Sequence, residues 1–261
     1  MSFRLFSSSS GGRFTRFTCG LHSAWPRMMQ AAMPNLCALC GNMSHKTLCA
    51  GCDEAYWNES RLRCTVCAVP LPATRWATHT RYRCADCLAD PPPFDATFAL
   101  ADYRAPLDTL AVGLKFRARL MLAREFAQRL ARLAQDSWQD FGDQPDVIVP
   151  VPLAGRRLTE RGYNQAWQIA KPLASALNVC SDATLLQRVI HTAPQSRLDL
   201  DARRLNVGRA FRVAHTVRRL HVGVVDDVMT TGATLEALAH TLKAAGARRI
   251  TNFVALRTPK N

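Results

Sequence analysis

The stretch VVDDVMTTGATL, residues 224–235, constrains the fold of this chain more than any other part of the sequence. The apolar run at residues 222–225 is typical of a buried strand, and two adjacent acids, Asp226 and Asp227, follow it directly. A loop of small hydroxylated residues then leads into a segment with the periodicity of an amphipathic helix. Because ligands of open parallel sheets bind at the carboxyl ends of the strands, the acids and the loop fall where a ligand is expected.

The acids and the loop suit two different parts of one ligand. Small residues around Gly232 let the backbone approach an anion, and the free N–H groups at the start of the next helix favour a phosphate. Asp226 and Asp227 would repel a phosphate, but they suit sugar hydroxyls, bound directly or through a divalent cation. The pattern therefore predicts a ribose 5-phosphate site, and its alternative is an acid-ended strand with an ordinary helix cap.

From Asp146 onward, short apolar runs alternate with amphipathic segments, which predicts an α/β fold with a mostly parallel, doubly wound sheet for the domain of residues 93–261. The segments LDTLAVGLKF and LMLAREFAQRLARLAQDSW have apolar residues at helical spacing and predict two helices. Pro172 is expected to kink a third helix. The expected strands are residues 147–149, 222–225 and 249–257, and the later helices are residues 165–177 and 234–245.

A second motif, VPVPLAGRRLTERGYNQ at residues 149–165, follows the strand predicted at residues 147–149. Pro150 and Pro152 stiffen the exit from that strand, and Arg156, Arg157 and Arg161 follow within a few residues. Three guanidinium groups on one loop match the charge of a pyrophosphate, since Arg binds phosphate oxygens with two donors at once. We therefore predict an arginine-rich loop that binds pyrophosphate.

Eight of the ten cysteines form four C-x2-C pairs, a spacing that indicates metal ligation in a reducing compartment. Two such pairs complete a tetrahedral thiolate site, so eight ligands suit two structural zinc ions. Pairing in sequence gives a double zinc ribbon, which the short loops favour, and crosswise pairing gives a RING-like brace. Iron–sulfur ligation and redox chemistry are the alternative uses. The predicted zinc ligands are Cys37, Cys40, Cys49, Cys52, Cys64, Cys67, Cys84 and Cys87.

Three segments are expected along the chain. Residues 1–33 contain four arginines and no acid, which is typical of a disordered leader or of translated upstream sequence, and Cys19 falls there. Residues 34–92 form the predicted double zinc ribbon and end in the linker DPPPF, and residues 93–261 follow.

The net charge and the hydropathy of the chain limit the partners and the cellular compartment that are expected for it. The formal net charge is +14, with 29 arginines against 5 lysines, which favours a polyanionic partner or a basic solvated surface. No apolar stretch approaches the roughly 18 to 20 residues that a membrane span needs, so a soluble, cytoplasmic protein is expected.

The motif VGVVDDVMTTGATL resembles the phosphoribosyl pyrophosphate (PRPP) binding motif of type I phosphoribosyltransferases. Together with VPVPL, RGYNQ, LKF at residues 114–116 and the cysteine pairs, it resembles the ComF family, which is associated with bacterial competence and DNA uptake. The resemblance implies a type I phosphoribosyltransferase-like fold that binds PRPP with Mg²⁺. It assigns the 5-phosphate loop to Met229, Thr230, Thr231, Gly232, Ala233 and Thr234.

The resemblance also implies roles for single side chains. Asp226 and Asp227 become the catalytic acids, which bind the ribose and stabilise positive charge on it, while the arginine-rich loop takes pyrophosphate. Lys115, Arg203 and Asn206 become further site residues, although as residues alone they equally suit a solvated surface or a helix end.

Two functions fit these patterns. The first is an enzyme that transfers phosphoribose from PRPP, although the sequence has no evident element for an acceptor. The second is a non-catalytic protein that uses the same fold to hold single-stranded DNA on its basic surface, alongside other competence proteins. Pyrophosphate release in the presence of candidate acceptors distinguishes the two.

Overall fold

A computed structural model describes residues 35–57, 62–72, 82–141, 144–189 and 210–259. The predicted leader with Cys19, and Arg203 and Asn206, lie outside these residues. The chain divides into two compact units, Met1–Cys49 and Ala50–Asn261. This division falls inside the predicted double zinc ribbon of residues 34–92. The boundaries expected after residues 33 and 92 remain predictions.

The described part of the first unit is a short antiparallel pair of strands, β1 (Asn35–Leu36) and β2 (Met43–Ser44). The turn between them carries the first cysteine pair. The backbone N–H of Cys37 donates to the carbonyl of Asn42 over 2.7 Å, and Gly41 adopts a left-handed φ of 75° that closes the turn.

The second unit contains a parallel sheet with helices around it. Its helices in the described residues are α1 (Ala50–Tyr56), α2 (Ala85–Ala89), α3 (Asp108–Phe116), α4 (Met121–Phe141), α5 (Gly155–Arg161), α6 (Gln165–Leu177) and α7 (Ala233–Ala244). Its strands there are β3 (Ala96–Asp102), β4 (Val147–Pro150), β5 (Cys180–Ser181), β6 (Leu186–Arg188), β7 (Phe211–Val213), β8 (His221–Met229) and β9 (Arg249–Arg257).

Five of these strands form one parallel sheet in the order β3-β9-β8-β4-β5. The central strands β8 and β9 are buried over almost their whole length, as is usual for a parallel sheet covered on both faces. The remaining strands, β6 and β7, pair with each other in an antiparallel ribbon. The predicted α/β fold with a parallel sheet is therefore confirmed.

The helix α4 covers the sheet with the apolar stripe that the sequence predicted. Leu122, Phe126 and Leu130 are buried and Leu133 is half-buried. Buried side chains therefore recur every three to four residues along one face of the helix. Burial of each large side chain contributes about 1.5–3 kcal/mol. The helix α4 also packs against α6, which runs from Gln165 to Leu177 with Pro172 inside it.

Two local predictions were wrong. The arginine-rich segment is a helix, α5, because Arg156 and Glu160 pair one turn apart at 2.7 Å and Gly162, with a φ of 78°, ends the helix. The strand expected to end at Val225 continues to Met229, because β9 pairs with it along its whole length. The last pair in the register is Met229 with Arg257. In the described ranges, no helix is both long and apolar enough to cross a membrane.

Candidate functional site

A cavity of about 830 Å³ lies at the carboxyl edge of β4 and β8. Its walls come from the end of α3, the exit of β4, α5 and the end of β8, so segments far apart in the chain meet there. The lining residues are Lys115, Phe116, Arg117, Ala118, Val151, Pro152, Leu153, Arg157, Glu160, Arg161, Tyr163, Gln165, Arg188, Asp226, Asp227, Val228 and Thr234.

Both predicted acids face this cavity from the last residues of β8. Asp227 is buried, and its Oδ2 lies 3.0 Å from Nζ of Lys115 at the end of α3. Asp226 is half-buried, and its Oδ1 accepts a hydrogen bond from the backbone N–H of Asp227 over 2.9 Å. Burial and the adjacent charge of Asp227 raise the pKa of Asp226 well above its usual range.

The two acids and one lysine leave an excess of negative charge at one point of the cavity wall. Burial first, and the charge of Asp227 second, disfavour the charged form of Asp226 until a cation or a hydrogen-bond donor arrives. The oxygen donors of Asp226 and Asp227 suit Mg²⁺, which is commonly bound by one or two carboxylates together with substrate phosphates. They also suit sugar hydroxyls directly.

The turn after β8 presents backbone to the same region. Gly232 caps α7 with a φ of 93°, and the first turn of α7 receives no side-chain cap from it. Its carbonyl accepts from the N–H of Glu236 over 2.9 Å, while the N–H of Ala233 reaches Thr231 Oγ1 at 3.3 Å. Of the six residues predicted for the phosphate loop, Thr234 lines the cavity itself. The helix N-terminus here is a suitable place for an anion.

Replacing Gly232 by alanine is expected to destabilise the fold by about 1–2 kcal/mol, because a side chain is strained at this positive φ. A Cβ at this position would also lie 2.6 Å from Cε of the buried Met229, so the turn would shift. Chemical denaturation measures the loss. Gly51→Ala is the matched control, since a Cβ there meets nothing within 4 Å, and an equal loss in both variants would contradict the strain.

The three predicted arginines do not share one environment. Arg157 and Arg161 line the cavity, and Arg161 lies over the ring of Phe116 at 5.3 Å. Arg161 also donates to Oε1 of Gln165. The structure does not bring Arg156 to the cavity, since its side chain is 90% exposed and pairs with Glu160.

Several cavity residues gave no signal in the sequence. Arg188, on β6, reaches the cavity with its guanidinium also 5.5 Å from the ring of Phe211. Burial and the positive charge of Arg157 lower the pKa of Arg188, so these two cations are close enough to interact. Tyr163, which donates from its hydroxyl to the carbonyl of Leu114, ties the exit of α5 to α3. Sequence patterns could not predict either contact, because the residues involved lie tens of positions apart in the chain.

The second cysteine group lies within the second unit. The sulfur atoms of its four members, Cys64, Cys67, Cys84 and Cys87, lie within 4.8 Å of one another. A hydrogen bond from the Cys67 thiol lowers the pKa of Cys64 to about 4, and the same bond raises the pKa of Cys67. Four cysteine sulfur atoms this close together are the ligand set of a structural zinc site, which binds them as thiolates.

In the first unit, the sulfur atoms of Cys37, Cys40 and Cys49 also lie within 4.8 Å of one another. The N–H of Cys49 donates to Cys37 Sγ over 3.3 Å, as is common in zinc knuckles. Cys52, the fourth predicted ligand, follows in the second unit. The third and fourth cysteine pairs thus group with each other, which is the sequential arrangement rather than the crosswise one.

Comparison with known proteins gives likenesses over most of the chain. Residues 119–260 match the model of the phosphoribosyl transferase domain. The chain is 36% identical over 230 residues to the DNA utilization protein YhgH of Salmonella typhimurium, covering 87% of this chain and 98% of that protein. It is 31% identical over 207 residues to Competence protein F of Haemophilus influenzae, covering 78% and 87%. It is also 30% identical over 119 residues to Competence protein ComFC of Bacillus subtilis, covering 45% and 47%.

Proposed function

We propose, since this chain belongs to the ComF family and residues 119–260 form a phosphoribosyl transferase domain, that it binds PRPP and transfers the phosphoribosyl group. One observation carries the proposal. Two acids, a helix N-terminus, Lys115 and several arginines, among them Arg157, Arg161 and Arg188, converge on one cavity at the carboxyl edge of the sheet. Each of these groups matches a different part of PRPP.

The ribose is assigned to the acid side of the cavity. Asp226 and Asp227 would accept hydrogen bonds from the ribose hydroxyls or would hold Mg²⁺, for which carboxylate oxygens are suitable ligands. Mg²⁺ bound there would offset negative charge on the departing pyrophosphate. Lys115, 3.0 Å from Asp227, orients that carboxylate and adds a positive charge beside the leaving group. Positive charge that develops on the ribose ring is stabilised by the carboxylates rather than by covalent attack.

The two phosphate ends of PRPP are assigned to opposite sides of the cavity. The 5-phosphate meets the N–H groups at residues 230–234, where Gly232 keeps the backbone accessible. The pyrophosphate meets Arg157, Arg161 and Arg188, whose guanidinium groups supply the opposite charge.

The biological role that we propose is DNA utilisation or competence. Relatives that align along most of their length carry the names DNA utilization protein and Competence protein F. The eight paired cysteines are proposed to hold two structural zinc ions, and the oxygen-rich acid pair is proposed to take Mg²⁺ together with PRPP.

Incubation of the zinc-loaded chain with PRPP, Mg²⁺ and candidate acceptors, followed by pyrophosphate detection, tests the proposal. Nucleobases, ammonia and single-stranded oligonucleotides cover the main acceptor classes. Acceptor-dependent pyrophosphate release that Asp227→Asn abolishes would support the enzyme. Tight, salt-dependent binding of single-stranded DNA without pyrophosphate release would instead support the non-catalytic alternative.

Removing one cavity arginine is expected to weaken pyrophosphate binding by about tenfold or more, because a hydrogen bond to a charged group contributes about 1.5–3 kcal/mol. Calorimetric titration of Arg157→Ala and Arg161→Ala with magnesium pyrophosphate measures the loss. Arg156→Ala is the control on the same helix, since that side chain points to solvent. Equal weakening in all three variants would show that general surface charge, not this cavity, binds the anion.

A further inference from the structure

The side chain of Arg257, at the end of β9, is the largest fully buried side chain of the described residues, although it carries a charge. Its guanidinium does not reach the cavity of the proposed PRPP site. It lies instead beneath the turn that follows β8, because the register of the sheet sets Arg257 beside Met229. A buried cation is costly, so its donors must be matched by acceptors.

The acceptors are backbone carbonyls from two different places. Nε donates to the carbonyl of Cys67 over 2.9 Å. Nη1 donates to the carbonyl of Met229 over 3.1 Å, to that of Thr230, and to that of Thr258 over 2.8 Å. Arg257 thus joins the second cysteine group to the first residues of the proposed phosphate loop, across 190 and 27 positions of the chain.

The cysteine side of this bridge is held by its own contacts. Cys67 supplies a thiolate to the proposed zinc site and a carbonyl to Arg257, so the metal and the guanidinium hold the same residue. Arg63 donates to the carbonyl of Ala68 over 3.1 Å and pairs with the buried Asp102 at 2.8 Å. The turn that contains Cys67 is therefore fixed to the end of β3 as well as to the end of β9.

Charge favours the same coupling. Four thiolates outweigh the charge of one zinc ion, so a loaded site is a net anion beside the buried guanidinium. Loss of the metal would let the Cys67 turn move and would leave a buried cation with fewer fixed acceptors.

We propose that Arg257 is a positioning residue that makes the shape of the phosphate loop depend on zinc at the second cysteine group. Its importance for PRPP rests on the proposed function, but the mechanical coupling does not. Zinc there holds the carbonyl of Cys67, Arg257 transmits that constraint, and the carbonyls of Met229 and Thr230 fix where the loop N–H groups point. The cysteine module is then part of the PRPP site without touching the ligand.

Amide hydrogen exchange on the ligand-free, zinc-loaded chain tests the coupling. Arg257→Lys keeps the charge but loses the forked donors that span both carbonyl groups, and Cys84→Ser removes one ligand of the second site. We expect each change to speed exchange by about tenfold at Ala233 and Thr258, whose N–H groups donate to Thr231 Oγ1 and to the carbonyl of Met229, in proportion to one charged hydrogen bond. The double variant should show no more acceleration than either single variant, because both break the same bridge.

Three controls keep the outcome clear. Amides of residues 222–225 should stay protected in every variant, which shows that the sheet is folded. Arg129→Lys changes a paired arginine, bonded to Glu125 and Asp53, away from this bridge, and should leave the loop unchanged. Metal analysis should find two zinc ions in Arg257→Lys and one in Cys84→Ser.

Two results would overturn the coupling. One is loss of zinc in Cys84→Ser with unchanged exchange at Ala233 and Thr258, and this test does not require Arg257→Lys to fold. The other is multiplication of the two effects in the double variant to about a hundredfold. Titration with PRPP then tests the function separately. Arg257→Lys should bind about tenfold more weakly, whereas a wild-type chain that binds no PRPP would refute the proposed function and leave the coupling intact.

Discussion

Replacing Asp227 by asparagine is expected to weaken the binding of PRPP with Mg²⁺ by about a hundredfold or more. A hydrogen bond to a charged group contributes about 1.5–3 kcal/mol, and the Asp227 carboxylate, buried 3.0 Å from Lys115, is held in place to make such bonds to the ribose or to Mg²⁺. The substitution keeps the shape of the side chain, so the lost charge accounts for the effect. Lys115 would then face the cavity unpaired, and the ribose would lose one of its two acidic anchors.

Isothermal titration with PRPP at fixed Mg²⁺ measures this loss. Asp146→Asn is the matched control, because Asp146 accepts from the N–H of His221 at the opposite, amino end of the same strand. That variant should bind PRPP within about twofold of wild type, a change of only about 0.4 kcal/mol. Wild-type affinity in Asp227→Asn would contradict the assignment of the ribose to the acid pair.

The second large effect is expected from removal of zinc, which should unfold the segment that contains the second cysteine group. Structural zinc sites contribute about 10–16 kcal/mol of folding free energy in small modules. The described parts of this segment, residues 62–72 and 82–90, contain one short helix and an isolated pairing of Arg63 with Pro70. Its buried apolar side chains are mainly ligands, with Val66 and Val69, and they join the core of the sheet.

Limited trypsin digestion before and after chelation measures this unfolding. Arg63 and Arg83 should be cut rapidly only in the metal-free chain, and the purified protein should contain two zinc ions. Cys180→Ser is the control, because Cys180 is exposed on β5 and belongs to neither cysteine group. Protection of both arginines in the metal-free chain would contradict a metal-dependent fold, and iron in place of zinc would contradict the metal assignment.

The centre of the fold was predictable because its signals are local. An apolar run, two acids, a glycine and an amphipathic segment lie in one continuous stretch, and β8, the turn and α7 follow in that order. The end of β8 was not predictable to the residue. Asp226 and Asp227 look like the end of a strand, yet pairing with β9 carries the strand past them to Met229.

The remaining parts of the site depend on contacts between distant segments. Arg188 reaches the cavity from a two-stranded ribbon, and Tyr163 bonds a carbonyl 49 positions away. Arg257 stands at the end of a predicted strand, where an arginine usually meets solvent, and its burial follows from carbonyls that the fold assembles around it. The periodicity of a sequence does not show which distant segments come into contact.

A crystal structure of the zinc-loaded chain with PRPP and Mg²⁺ tests the central claim most directly. We predict that the 5-phosphate lies on the N–H groups of residues 230–234 and that the ribose hydroxyls lie on the side of Asp226 and Asp227. We also predict that the pyrophosphate lies beside Arg157, Arg161 and Arg188. PRPP bound with its pyrophosphate on the turn, or bound elsewhere while the cavity holds only solvent, would contradict it.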